Sequence, residues 1–390
     1  MSTIKVDGIR SNSATSDAIT LASGGTCTAN ITNKPNRNLI INGAMQVAQR
    51  GTSNTTGGDG YFTVDRMSYY NSGIDNDVTK AQADIASGTT PYSLGFRKSF
   101  KLTNGNQTSG FGADDVIRVD TKLEAQDLAT SGWNFKSSSS YITLSYWVKS
   151  SVAQEFFGYL YMDDTPYKYG WSLGSLSADT WTKITVTIPG NSNLGINNDN
   201  GVGCWLNLLG IWGTNRTASD AAPNTWVVWD GTKRSTDQAS TWYTTNDATF
   251  EITGVQLEVS DHATDFEHRS FGQELALCQR YYFRFTASTS GTHIAMGHQM
   301  TSSAAKIILP FPTSMRTRPT AVETSGTASD YSVARTSTYE VCNVVPTFAG
   351  ASKEVGNVNT NQTQASISTG YAVVLRANTT DCFLGFSAEL

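Results

Sequence analysis

The chain has 390 residues, too many for one small domain and enough for two or three, each with its own core. Charged residues make up only 16% and hydrophobic ones 38%, so 42 Ser, 51 Thr and 26 Asn carry much of the polarity, and with 34 Gly, 9 Trp, 16 Tyr and 16 Phe they favour strands and turns over helices. A net charge of −5 without any Lys/Arg run disfavours nucleic-acid binding, and no apolar run approaches the roughly 18 residues that cross a bilayer, so neither partner is expected.

Residues 1–38 alternate short apolar pairs (Ile4 and Val6, Ile19 and Leu21, Ala29 and Ile31) with Ser, Asn, Gly and Asp turns. So few apolar groups cannot make an independent core, and the segment is expected to order against copies of itself or a larger assembly. From residue 39 to about 269, strand-like runs recur at the spacing of a two-sheet sandwich: 116–123, 141–148, 156–162, 181–188, 204–211, 226–230 and 249–259. Ile142, Leu144, Tyr146 and Val148 alternate with Thr143, Ser145 and Trp147, as half-buried antiparallel strands do.

Ser270 and Gln273 match a capping box, and a linking helix is expected over 270–283 with Phe271, Leu275, Cys278 and Tyr282 as its apolar stripe. A second strand series follows at 281–286, 306–311, 321–323, 339–345, 365–368, 371–377 and 383–390. Residues 284–390 are therefore expected to form a second, smaller β-sandwich. The N-terminus has no signal-peptide apolar stretch, so synthesis in a cytoplasm is expected, with Cys27, Cys204, Cys278, Cys342 and Cys382 reduced; their number and spacing suit neither a disulfide framework nor zinc.

Catalytic patterns fail on context. Gly170-Trp171-Ser172-Leu173-Gly174 has the wording of a nucleophile elbow, but a strand rather than a helix should follow, with no α/β alternation around it. Asp114-Asp115 and Asp163-Asp164 are adjacent on strand-like sequence and point to opposite faces, so neither forms an acid and nucleophile pair; Glu124 and Asp127 are the remaining candidates for one. His262, His268, His293 and His298 lack HExxH spacing, and the Asn-rich 195–201 turn has one carboxylate where a calcium loop needs several. No catalytic residue, metal or cofactor is assigned, and the chain is expected not to be an enzyme.

Aromatic density is the most informative feature. Trp205, Trp212, Trp226, Trp229, Trp242 and Tyr243 crowd 39 residues rich in Asn, Asp and Thr, Asp230 among them. Sugars stack their C–H faces on such rings while amides and carboxylates hydrogen-bond the hydroxyls. The alternative use of the same rings is to fill a sandwich core.

Several segments resemble a module common in phage tail-fibre proteins: Asn38-Leu39-Ile40-Ile41-Asn42-Gly43-Ala44-Met45-Gln46-Val47-Ala48-Gln49-Arg50-Gly51, Val64-Asp65-Arg66, 145–150, 181–185, 250–259 and 266–282. Leu384-Gly385-Phe386-Ser387-Ala388-Glu389-Leu390 is similar to the end of many such fibres, and the module in turn resembles carbohydrate-binding jelly rolls. In those jelly rolls an Asp near the last strand helps hold a structural Ca²⁺, whereas Thr253-Gly254 stands there in this chain.

The resemblance implies a jelly-roll β-sandwich over 39–269, a virion-docking stem at 1–38, a homotrimer, docking on tail or baseplate proteins of the virion, and contact with a host-surface polysaccharide. The expected function is a tail-fibre protein that recognises a host glycan. The alternatives are a baseplate, tail or head-decoration protein that binds only virion proteins, and a polysaccharide depolymerase.

Overall fold

The computed structural model describes residues 35–336, 338–362 and 367–390, and in the leading segment 6–10, 12, 18–21, 23–24 and 27–29. Strands dominate it and the helices are few and short, so the all-β expectation holds. In the leading segment Gly8–Ile9, Ile19–Leu21 and Cys27–Ala29 form a small antiparallel sheet. The expected positions Ile4 and Ile31 lie outside the described residues.

All seven strand-like runs between 116 and 259 are strands, and they build two antiparallel sheets. The six-stranded sheet has the order Thr182–Pro189, Tyr141–Ser150, Thr249–Glu258, Lys98–Thr103, Thr79–Asp84, Ser53–Asn54. The seven-stranded sheet runs Trp226–Val228, Tyr167–Leu176, Gln154–Met162, Val202–Trp212, Val116–Glu124, Ser68–Ser72, Asp59–Tyr61. The alternation in Tyr141–Ser150 does what it should: Ile142, Leu144, Tyr146 and Val148 are sealed in a core shared with Leu160, Met162, Leu206 and Leu208 of the facing sheet. Each such side chain contributes about 1.5–3 kcal/mol on burial, which is what clamps the sheets face to face.

Ser172 sits in the strand Tyr167–Leu176, not at an elbow, with its hydroxyl donating to Glu155 Oε1 at 2.5 Å.

The helix is Phe271–Gln279, opened by the capping box at Ser270 and three residues shorter than its stripe implied. Its buried side is also turned: Glu274 and Cys278 are buried, whereas Phe271 is 56% exposed. The reason is polar. Asn42 N–H donates to Glu274 Oε1 at 2.5 Å in a buried turn, and this holds the carboxylate inward. Tyr282 then opens the strand Tyr282–Thr286.

The expected second sandwich is instead a closed barrel. His293–Thr301, Ala304–Pro310, Val355–Gln362, Thr338–Ala351, Tyr331–Arg335 and Ala372–Ala377 pair in that order, and the last returns to the first. Closure removes the free strand edges that a small sandwich leaves. It is made possible by three register shifts in the 14-residue strand Thr338–Ala351, which bend it around the barrel. A three-stranded sheet of Tyr282–Thr286, Phe383–Ser387 and Glu323–Thr324 adjoins it. The run expected at 365–368 lies partly outside the described residues.

Candidate functional site

In Val116–Glu124, Ile117, Val119 and Leu123 enter the core, which leaves Arg118, Asp120 and Lys122 on the outer face of the seven-stranded sheet. Register then extends these residues across the sheet in rungs. Lys122 lies opposite Trp205, Trp205 opposite Tyr161, and Tyr161 opposite Lys168. One rung along, Asp120, Asn207, Tyr159 and Gly170 line up in the same way. Tyr70 faces Arg118 on the next strand.

The rungs combine ring faces with charge. Lys122 Nζ lies 4.0 Å from the centre of the Trp205 ring, and the Arg118 guanidinium 4.6 Å from that of Tyr70 and 5.2 Å from that of Trp205. The Trp205 indole N–H donates to Asp163 Oδ1 at 3.2 Å. Partial burial pushes the Asp163 carboxyl up from its ordinary range. Beneath the rings, the buried Asp120 accepts from Asn207 Nδ2 at 2.9 Å and pairs with Arg118 at 3.0 Å; burial pushes its carboxyl up, with Arg118 pulling the other way.

A loop after Trp226–Val228 folds over part of this face. Trp229 comes within 4.9 Å of the Tyr161 ring and 5.5 Å of the Tyr159 ring. Lys168 fastens the loop by donating to the Lys233 carbonyl at 2.5 Å and the Arg234 carbonyl at 3.1 Å, and burial lowers this lysine to about 8. Arg234 lies 4.7 Å from the Trp212 ring. The result is a shelf of three half-buried rings, Trp205, Trp229 and Tyr161, bordered by Arg118, Lys122 and Asp163.

Only some of the residues singled out in the sequence meet here. Trp205 and Trp229 do. Trp212 is beside them but 2% exposed, stacked on Tyr159 with ring centres 6.0 Å apart, so it supports the shelf from below. Trp226 is on the edge strand, packed on Tyr169 and donating to the Pro189 carbonyl at 2.7 Å. Asp230 is exposed and spends its carboxylate on the Thr232 N–H and hydroxyl. Trp242 and Tyr243 are corrected to core residues: both are 0% exposed, in the short helix Thr241–Thr244. Arg118, Lys122, Tyr159 and Tyr161 were missed, although the alternation of charge in Val116–Glu124 was there to be read. Among the described residues, no group of three His, Cys, Asp or Glu is placed to hold a metal ion.

No protein-family model and no curated protein matches the sequence. Among solved structures, a distant resemblance to carbohydrate-binding and carbohydrate-active modules recurs. The enzymatically active domain of bacteriophage CBA120 tailspike protein 4 matches over 58% of this chain and 22% of its own, with 11% identity and a TM-score of 0.31. The CBM22-1 and GH10 modules of a Clostridium thermocellum endo-1,4-β-D-xylanase match over 52% and 27%, with 10% identity and a TM-score of 0.25. A putative sugar-binding protein from Bacteroides thetaiotaomicron matches over 57% and 100%, with 11% identity and a TM-score of 0.29. This chain thus spans about a quarter of the tailspike and xylanase chains. Two of these similar structures are of enzymes, contrary to the expectation that the chain is not one.

Proposed function

We propose that this protein recognises a polysaccharide on the outer face of the seven-stranded sheet, built on a jelly-roll-like sandwich. The observation that carries this is the rung Lys122, Trp205, Tyr161 with Trp229 laid against it: ring surfaces for sugar C–H faces, beside charged groups that can bond hydroxyls. A shelf of this kind holds one or two sugar units weakly, and repeated copies on one particle would add avidity.

The setting we propose is a phage virion, with residues 1–38 as the docking stem, self-association into a homotrimer, and tail or baseplate proteins as the attachment. It is supported by the wording of Asn38–Gly51 and Leu384–Leu390. A second reading, cleavage of the bound polysaccharide, is favoured by Asp163, whose carboxyl partial burial raises toward the range of a general acid, although the Trp205 indole N–H it accepts from pulls the other way.

Affinity electrophoresis through gels containing host polysaccharide tests recognition. The unaltered chain should be retarded and Trp205→Ala should not, with roughly tenfold or greater loss of affinity. Equal retardation of the two removes the shelf as the site. Reducing sugar released by the unaltered chain and not by Asp163→Asn would select cleavage.

A further inference from the structure

The opposite sheet carries an opening of its own. A cavity of about 280 Å³ is lined by Leu94, Phe96, Trp147, Lys183, Asp265 and His268 with their neighbours. It lies on the outer face of the six-stranded sheet, on the other side of the core from Trp205. Its position follows from one irregularity. Between the pairs Ser145↔Gln256 and Trp147↔Thr253 the register slips, and Gly254 takes the left-handed conformation at φ 64°. A Cβ on Gly254 would come within 2.7 Å of the Phe96 ring, so only glycine lets that ring lie on the strand and form the floor.

Above the floor stands a ring cluster. Phe96, Phe266 and His268 pack mutually with centres 4.9–5.2 Å apart. His268 Nε2 donates to the Leu94 carbonyl at 2.9 Å, which fixes the ring and leaves Nδ1 as the acceptor. Trp147 faces its cross-strand partner Lys183 on the sheet. Among the described residues the Trp147 indole N–H, the Lys183 ammonium and the Asp265 carboxylate make no hydrogen bond or ion pair. An indole surface beside an unspent donor and an unspent carboxylate, in a space below the 300–1,000 Å³ of ordinary ligand sites, suits one small polyhydroxylated ring.

We infer that this cavity is a second carbohydrate site, independent of the shelf, which takes a single sugar residue. Trp147 stacks on the ring, Lys183 and His268 Nδ1 bond its hydroxyls, and Asp265 accepts from a hydroxyl pair. The two sites face away from each other, so one chain would hold a polysaccharide strand on one side and a terminal or branch sugar on the other.

The test uses the full chain carrying Trp205→Ala, so that the shelf is silent, with methyl β-D-glucopyranoside, methyl α-D-mannopyranoside and N-acetylglucosamine as probes. Indole N–H resonances are followed by NMR during titration, with Trp147 assigned from Trp147→Phe. At least one probe should shift the Trp147 resonance with saturation in the millimolar range. Lys183→Ala and Asp265→Asn, both of exposed residues, should each weaken it roughly tenfold with the thermal midpoint unchanged. A Trp147 resonance that none of the three probes moves, or one moved equally in both variants, overturns the proposal. Failure here leaves the shelf untouched, since polysaccharide retardation depends on Trp205.

Discussion

Glu389 reaches back across 323 positions of sequence to ion-pair with Arg66, and both side chains are buried where the barrel meets the sandwich. The Arg66 guanidinium lies 3.6 Å from the centre of the Tyr281 ring, and Arg50 reaches the same carboxylate at 3.3 Å. Arg316 adds hydrogen bonds to the main-chain oxygens of Ala388 at 2.8 Å and Glu389 at 2.6 Å. Glu389→Ala would leave two cations facing a buried space, and a loss of about 3–5 kcal/mol is expected from denaturant unfolding. A loss within about 1 kcal/mol would show the pair to be solvated.

Next to Arg66, burial raises the Asp65 carboxyl to about 6, against the pull of Gln49, whose backbone N–H donates at 2.9 Å and whose amide donates at 2.5 Å. Between the unfolded value near 4 and this folded value, the folded chain holds the proton more firmly than the unfolded chain. Asp65 therefore contributes stability that is fully present below about pH 4 and lost as pH rises through about 6. Thermal midpoints of Asp65→Asn minus those of the unaltered chain should rise across that window and be flat above it. A flat difference throughout would contradict the raised carboxyl.

Two tryptophans separate surface from core. Trp242 is 0% exposed and donates from Nε1 to the Thr249 carbonyl at 3.1 Å, so Trp242→Ala should cost about 3–5 kcal/mol. Trp205 is half-buried on the outer face, and its replacement should move the thermal midpoint by much less. Similar losses at the two positions, measured by calorimetry, would mean that Trp205 is structural.

The four described cysteine side chains, Cys204, Cys278, Cys342 and Cys382, are buried and unbridged. Burial pushes Cys204, Cys342 and Cys382 up to about 12, and Cys278 well above its usual range. Iodoacetamide at pH 8 should leave all four unlabelled in the native chain and label them after denaturation, because the thiolate is the nucleophile. Rapid native labelling at Cys342 or Cys382 would show that the barrel opens. The Cys27 side chain lies outside the described residues.

The sandwich was legible because its signal is local. Period-two alternation in 141–148 fixes which side chains enter the core whatever the rest of the chain does. Barrel closure was not legible, since it depends on the register shifts within Thr338–Ala351 and on the return pairing of Ala372–Ala377 with His293–Thr301, both set by long-range contacts. The structure brings only some of the candidate residues together, for a related reason. Tryptophans close in sequence were grouped, but a sheet face is assembled by register: Trp205 meets Lys122 and Tyr161 from other strands, whereas Trp242 turns inward in its short helix. Charge alternation in 116–124 was the stronger signal for the shelf.

Indole N–H NMR of the full chain, titrated with host-polysaccharide oligosaccharides, discriminates most sharply. Trp205 and Trp229 resonances, assigned by single substitution, should shift together along one binding curve while Trp242 stays still. Oligosaccharide binding that leaves Trp205 and Trp229 unmoved would contradict recognition at the outer face of the seven-stranded sheet.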